Sequence, residues 1–225
     1  MKTYKIHLQN DSLTFSSAHF ITFSDGNCEA LHGHDFRVSV ELESELDPVG
    51  KYVVDFTRLQ HAVREILREL DHKVLLPGES PLLELSVIQK EPEISPDIQG
   101  WVSTVGKWLT EVNDYQGDTS EILQEREREL EHYLDEELSA DAVSLSAGIL
   151  RAEVEIRHEN RRWIFPAEDC VILPLENTTA ELLADYFLEK LRKHPLLADR
   201  PPRFLRITLE ESAGTAGVCE WIIDN

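Results

Sequence analysis

Residues 36–42, FRVSVEL, alternate apolar and polar side chains almost strictly, which is the period of an extended strand with one buried face. A strand of this kind needs neighbours in a sheet and a second layer over its apolar side. The same alternation runs through residues 4–7 and 13–20, and Asp25, Gly26 and Asn27 supply turn chemistry that brings the chain back toward 36–42. Two further short strands are expected at 204–210 and 218–223. The covering layer is helical. Residues 57–70 place Leu59, Val63, Ile66, Leu67 and Leu70 at helical spacing behind a short apolar run at 52–56, with Thr57 as the expected N-cap. That helix should stop near Asp71 and His72, ahead of Pro77 and Gly78. A second helix, capped by Thr178 or Thr179, runs to about Lys193 and gathers Leu182, Leu183, Tyr186, Phe187 and Leu191 on one side.

Between these halves lies a stretch rich in Glu and Asp, residues 78–174. It contains an amphipathic helical pattern at 101–112 and a charged run at 120–138 that reads as a solvated face. Residues 152–156 and 163–165 are spaced to form a hairpin through Glu159 and Asn160. The whole chain, 1–225, is expected to be one domain with 78–174 inserted into it.

Charge and cysteine usage exclude several functions. With 43 acidic and 22 basic residues, a formal charge of -21 repels nucleic acid and anionic membranes. Cys28, Cys170 and Cys219 are widely spaced, odd in number and without a CxxC pair, so a disulfide framework is not expected. The first ten residues lack signal and transit patterns, and no apolar run approaches a membrane span, so a cytoplasmic location is expected.

Two residues apart on an extended segment, His32 and His34 project from one face, and His19 sits on the preceding strand. Three neutral imidazoles with an open fourth position suit catalytic zinc. Gly33 between them is expected to let the backbone pass close to whatever is bound. Alone, Cys28 reads as a small buried apolar residue and His72 as a histidine at a helix C-terminus. Beside the three histidines, Cys28 gains the look of a base or nucleophile, and Asp71 with His72 that of a polarised imidazole acid.

The blocks FSSAHF (15–20), CEALHGH (28–34), VDF (54–56), LDH (70–72), NTTAE (177–181) and LEES (209–212) resemble, in order and spacing, the signatures of the 6-pyruvoyltetrahydropterin synthase and 6-carboxytetrahydropterin synthase family. The resemblance covers 5–76 and 175–221. It implies a T-fold, an α+β architecture with an antiparallel four-stranded sheet and two helices on one face, assembled into a homohexamer of two trimers. It further implies zinc held by His19, His32 and His34, and Cys28 as general base. Asp71 and His72 would be a proton-shuttling pair reaching a neighbouring subunit, and Glu211 rather than Glu210 the anchor of the pterin ring. The implied substrate is 7,8-dihydroneopterin triphosphate. Implied products, in order, are 6-carboxytetrahydropterin on the queuosine route, 6-hydroxymethyl-dihydropterin on the folate route, and 6-pyruvoyltetrahydropterin. From another class stands a non-catalytic T-fold protein that binds a pterin or purine.

The chain departs from that pattern in three places. Glu29 follows Cys28 directly, so ExxHGH overlaps CxxxHGH and both candidate bases are present. In the family the cysteine spacing accompanies the carboxy product and the glutamate spacing the hydroxymethyl product. Compact members lack the long middle stretch, whose expected role is surface decoration. The loop AGTAG (213–217) is one residue longer than usual, which leaves Thr215 without a role. A triphosphate also calls for a local basic pocket, and no Lys/Arg cluster marks one.

Overall fold

The computed structural model describes residues 2–89 and 152–223. The chain divides into two compact units, one made of Met1–Ile88 with Glu153–Asn225 and the other of Gln89–Ala152. The helical pattern at 101–112 and the charged run at 120–138 lie outside the described residues.

The strands expected at 4–7 and 13–20 are one strand, β1 (Tyr4–His19), which pairs antiparallel with β2 (His32–Ser44). A bulge joins the two parts: between Gln9 and Thr14 the chain advances five residues while β2 advances two, from Ser39 to Arg37. That odd difference reverses the parity of β1. Ile6 and Leu8 before the bulge, and Leu13, Phe15, Ser17 and His19 after it, therefore all face the core. On β2 the core face carries Phe36, Val38, Val40 and Leu42.

Helix α1 (Phe56–Leu70) buries Leu59, Ala62, Val63, Ile66, Leu67 and Leu70. Its N-cap is Asp55, not Thr57: the Asp55 carboxylate accepts from the backbone N–H groups of Thr57 and Arg58 at 2.8 and 3.2 Å. A carboxylate cap at the positive end of the helix satisfies two otherwise orphaned donors, one of them the N–H of Thr57 itself, which lies two residues further on inside the first turn. After α1 come β3 (Lys73–Pro77), β4 (Glu84–Gln89), β5 (Ala152–His158), β6 (Arg161–Pro166), a short 3-10 turn (Ala167–Asp169) and β7 (Cys170–Leu173). The expected hairpin through Glu159 and Asn160 is β5–β6, with Glu159 at φ 51° in the left-handed region that such a turn requires.

Helix α2 (Ala180–Lys193) is capped by Thr179, whose hydroxyl accepts from the Leu182 N–H at 3.4 Å. One turn, α3 (Pro195–Ala198), leads into β8 (Phe204–Ser212) and β9 (Thr215–Ile222). The main sheet runs β7-β3-β1-β2-β8-β9, and a smaller sheet runs β4-β5-β6. The expected four antiparallel strands, β1-β2-β8-β9, form one side of the main sheet. Two short strands, β3 and β7, extend it in parallel along the β1 edge. The fold is α+β, with α1 and α2 packed on β1, β8 and β9 over one apolar core. A second core joins Phe20, Leu76, Leu83, Val154 and Ile156, with Cys28 and Trp163 against it.

Gly217 shows how tightly β9 meets α2. A Cβ placed there would lie 2.2 Å from the Ala180 carbonyl carbon and 2.4 Å from the Glu181 nitrogen, both backbone atoms that cannot rotate away. Gly217→Ala is expected to lower stability by roughly 1–3 kcal/mol in denaturant unfolding, while Ala216→Ser on the exposed neighbour stays within about 0.5 kcal/mol.

Candidate metal centre and active site

Strand pairing sets His19 directly opposite His32 and Ser17 opposite His34. Ring centroids of the three histidines lie 4.8 Å (His19–His32), 5.3 Å (His19–His34) and 4.8 Å (His32–His34) apart. Phe36 forms the apolar floor, 5.4 Å from the His19 ring and 5.5 Å from that of His34.

Backbone carbonyls orient two of the rings. His19 Nδ1 lies 2.9 Å from the Thr178 carbonyl and His32 Nδ1 lies 2.9 Å from the Ala30 carbonyl. A carbonyl only accepts, so each Nδ1 carries the proton and each Nε2 presents a lone pair. His19 is fully buried, and that burial, stronger than the opposing pull of the Thr178 carbonyl and Glu211, lowers its pKa and keeps the ring neutral. The Nε2 atoms of His19 and His34 are buried with no hydrogen-bond partner.

Glu211 is drawn into the same cluster. On β8 the residues Leu205, Ile207 and Leu209 face the core, and alternation puts Glu211 on that face and Glu210 on the other, where Glu210 lies 3.5 Å from Arg37. The Glu211 Oε1 sits 3.0 Å from His19 Nε2 and 3.2 Å from His34 Nε2, close contacts without hydrogen-bond geometry. Ligand atoms of His19, His32, His34 and Glu211 all lie within 4.8 Å of one another. The buried, unpartnered Nε2 atoms of His19 and His34, gathered with ligand atoms of His32 and Glu211, fit a divalent metal ion.

Around this cluster the other expected residues take distinct positions. Of the two candidate bases, Glu29 places its Oε2 3.9 Å from His32 Nδ1, buried without a hydrogen-bond partner. Cys28 is half-buried against the second core, with Sγ 3.5 Å from the Glu29 carbonyl; burial pushes its thiol pKa up, Arg161 draws it down and Glu29 raises it. Asp71 and His72 are paired as expected, His72 Nδ1 lying 3.0 Å from Asp71 Oδ1. The same Asp71 oxygen accepts from the Ser16 N–H at 2.9 Å, and the His72 N–H donates to the Ser16 carbonyl at 2.7 Å. This places the pair beside β1 with His72 at φ 59° and its side chain 81% exposed.

Gly33 points away from the imidazoles, because strand alternation turns it to the opposite face. There a Cβ would meet the Ser17 carbonyl at 3.4 Å. Gly33 lines an open cleft of about 480 Å³ together with Ser16, Ser17, His34, Asp35, His72 and Lys73. A tighter cavity of about 180 Å³, lined by Leu42, Asp47, Arg58 and Arg200 among others, sits toward the opposite end of β2 from the histidines.

The sequence reading missed the support of the centre. Asn177 brackets Thr22, accepting from its N–H at 3.3 Å and donating to its carbonyl at 2.8 Å. Thr178, fully buried, donates its hydroxyl to the Phe20 carbonyl at 3.1 Å and offers its own carbonyl to His19. Thr179 caps α2. The NTTAE block thus ties His19, the segment after β1 and α2 together, and its run of small hydrogen-bonding residues before a helix was the available signal.

A model of the 6-pyruvoyl tetrahydropterin synthase family matches residues 10–220. The chain belongs to that family. This member is 27% identical over 179 residues to a Methanocaldococcus jannaschii protein that carries the name 6-carboxy-5,6,7,8-tetrahydropterin synthase, a match spanning 80% of the chain and 71% of that protein. Other relatives of the same name are matched over 50% of their own length. Among solved structures, the Plasmodium falciparum 6-pyruvoyl tetrahydropterin synthase superimposes with a TM-score of 0.66 at 21% identity, covering 98% of the chain and 99% of that protein. A Plasmodium vivax counterpart, solved as a variant of a glutamate catalytic residue, gives 0.65 at 22% identity over 99% and 100%. These structures share the T-fold with the chain, and the family it belongs to processes pterins. Among the described residues no helix is long and apolar enough to cross a membrane.

Dialysed protein is expected to retain one divalent ion per chain by elemental analysis. His32→Ala and His34→Ala should each lose it, whereas His61→Ala, on the exposed face of α1, should keep it.

Proposed function

We propose that this family member is a zinc-dependent lyase that converts the side chain of 7,8-dihydroneopterin triphosphate, with 6-carboxytetrahydropterin as its main product. The observation that carries the proposal is the convergence of three histidines, two of which, His19 and His34, hold buried Nε2 atoms without partners, with Cys28 and Glu29 on the segment leading into them. The relatives' names support the choice of product. When bound by His19, His32 and His34, zinc would lower the pKa of side-chain hydroxyls and stabilise developing negative charge.

The protein's own groups account for the remaining chemistry. Cys28 is assigned proton removal, and the Asp71–His72 pair the return of a proton, with Asp71 orienting the imidazole through Nδ1. The exposure of His72 supports its service to a site completed by a neighbouring subunit, in a homohexamer of two trimers. Glu211 is assigned the pterin ring, whose adjacent N–H donors match a carboxylate. That role requires its side chain to turn from the imidazoles once the ion takes their lone pairs.

A second reading, formation of 6-hydroxymethyl-dihydropterin with Glu29 as base, is favoured by one observation: the buried, unpartnered Glu29 oxygen near His32. It also accords with the glutamate described as catalytic in the Plasmodium vivax protein. As for a non-catalytic pterin or purine binder, binding alone needs neither a base nor an Asp–His pair.

Incubation of the zinc-loaded protein with 7,8-dihydroneopterin triphosphate is expected to yield the carboxy product by mass spectrometry. Cys28→Ala should reduce kcat for it by about 10²–10⁴-fold, and Glu29→Gln should spare it; an unchanged pterin mass with wild-type protein rejects the lyase. Glu211→Gln is expected to keep the metal and raise KM about tenfold or more, the scale of a lost charged hydrogen bond, so loss of metal instead would make Glu211 a ligand.

A further inference from the structure

The candidate base segment is held from outside the metal cluster by the β5–β6 hairpin. His158 is 6% exposed, and its ring spans two backbone carbonyls, with Nδ1 3.0 Å from that of Leu82 and Nε2 2.7 Å from that of Gly26. Arg161, at the start of β6, donates from Nη1 to the Cys28 carbonyl at 2.6 Å. Its guanidinium lies 4.6 Å over the Trp163 ring, and Trp163 stacks on Phe20 with centroids 5.0 Å apart and planes 12° from parallel. Phe20 directly follows His19. The hairpin therefore grips the turn on both sides of Asn27 and braces the end of the strand that carries His19.

We infer that Arg161, assisted by His158, is a positioning residue that fixes the direction in which Cys28 and Glu29 face the three imidazoles. The inference rests on the reading that one of these two residues is the base. The Cys28 carbonyl belongs to the planar peptide joining Cys28 to Glu29, so a bond to it restrains ψ of Cys28 and φ of Glu29, the backbone angles between the two side chains. Of the other fixed contacts, the bridge from Cys28 to Thr22 and the Glu29 N–H to Ile21 carbonyl bond at 2.9 Å hold the segment on its inner side. Arg161 supplies the outer one. A guanidinium already stacked on an indole loses little further freedom in making that bond. Charge acts in the same place: the groups acting on the Cys28 thiol are Arg161, which favours the thiolate, and Glu29, which opposes it together with burial.

The test compares zinc-loaded wild type, Arg161→Gln and Arg161→Lys by two independent readouts. One is kcat and KM for pterin conversion. The other is the pH profile of iodoacetamide alkylation, resolved by peptide mass for Cys28, Cys170 and Cys219. In Arg161→Gln, kcat is expected to fall about 10- to 100-fold, the scale of a slightly misplaced base, with KM little changed. The Cys28 alkylation midpoint should move to higher pH while those of Cys170 and Cys219 stay in place. Arg161→Lys should keep the Cys28 midpoint near wild type yet recover only part of kcat, since a lysine preserves the charge and loses the planar fork. A Cys28 profile in Arg161→Gln that superimposes on wild type overturns the inference, as does an equal shift at all three cysteines, which would mark general loosening. Should wild type leave the pterin unchanged, the lyase reading falls while the Cys28 profile still decides the role of Arg161.

Discussion

Everything at the centre depends on the antiparallel register of β1 on β2. His19 faces His32 only because those residues are Cα partners, and all three imidazoles share a face only because alternation keeps them there. A slip by one residue would turn His32 and His34 to the opposite side and leave His19 alone. The register is guarded by the apolar set on the same face, Phe15, Phe36, Val38 and Val40, and by the stacking of Phe15 on Phe36 at 4.9 Å. The hydrophobic core and the candidate metal centre are thus two stretches of one alternating pattern, and packing supplies the geometry that gathers the imidazoles.

That geometry stores an unfavourable balance. Two imidazole nitrogens lie buried without partners, next to a carboxylate that contacts them out of line, each unsatisfied group costing about 1–3 kcal/mol. Only an environment fixed by other bonds keeps such groups together. Here the carbonyls of Thr178 and Ala30, the Asn177 bracket on Thr22 and the cap on α2 provide it. The centre is preorganised by backbone, which moves less than side chains do.

Much of this was legible in the residues. Alternation located the antiparallel strands, helical spacing located α1 and α2, and the histidine spacing pointed to the three rings that the structure brings together. The single long β1 was hidden because its bulge breaks the alternation that identifies strands. The strands β3 and β7 were hidden for another reason: KVLLP and CVIL are short apolar runs without alternation, and they pair with partners far away in sequence. Thr57 suits an N-cap by residue type, and the bond pattern that gives the role to Asp55 is visible only in the structure. In the site, strand parity separates Glu211 from Glu210, so that choice was available without coordinates. The grip of Arg161 and His158 on the turn was not, since it joins residues more than a hundred positions apart.

The parallel pairing of β3 with β7 has a consequence for how such a chain can change over time. The chain leaves the main sheet at Pro77, which pairs with Leu173, and re-enters at Cys170, which pairs with Val74. Exit and re-entry are three residues, or about 10 Å, apart along adjacent strands. The bonds from the Gly78 and Glu79 N–H groups to the Leu173 and Leu175 carbonyls tie that doorway further. Material spliced between these two points joins a frame whose own ends are already stapled, so lineages can lengthen, shorten or exchange it without re-registering β1 on β2.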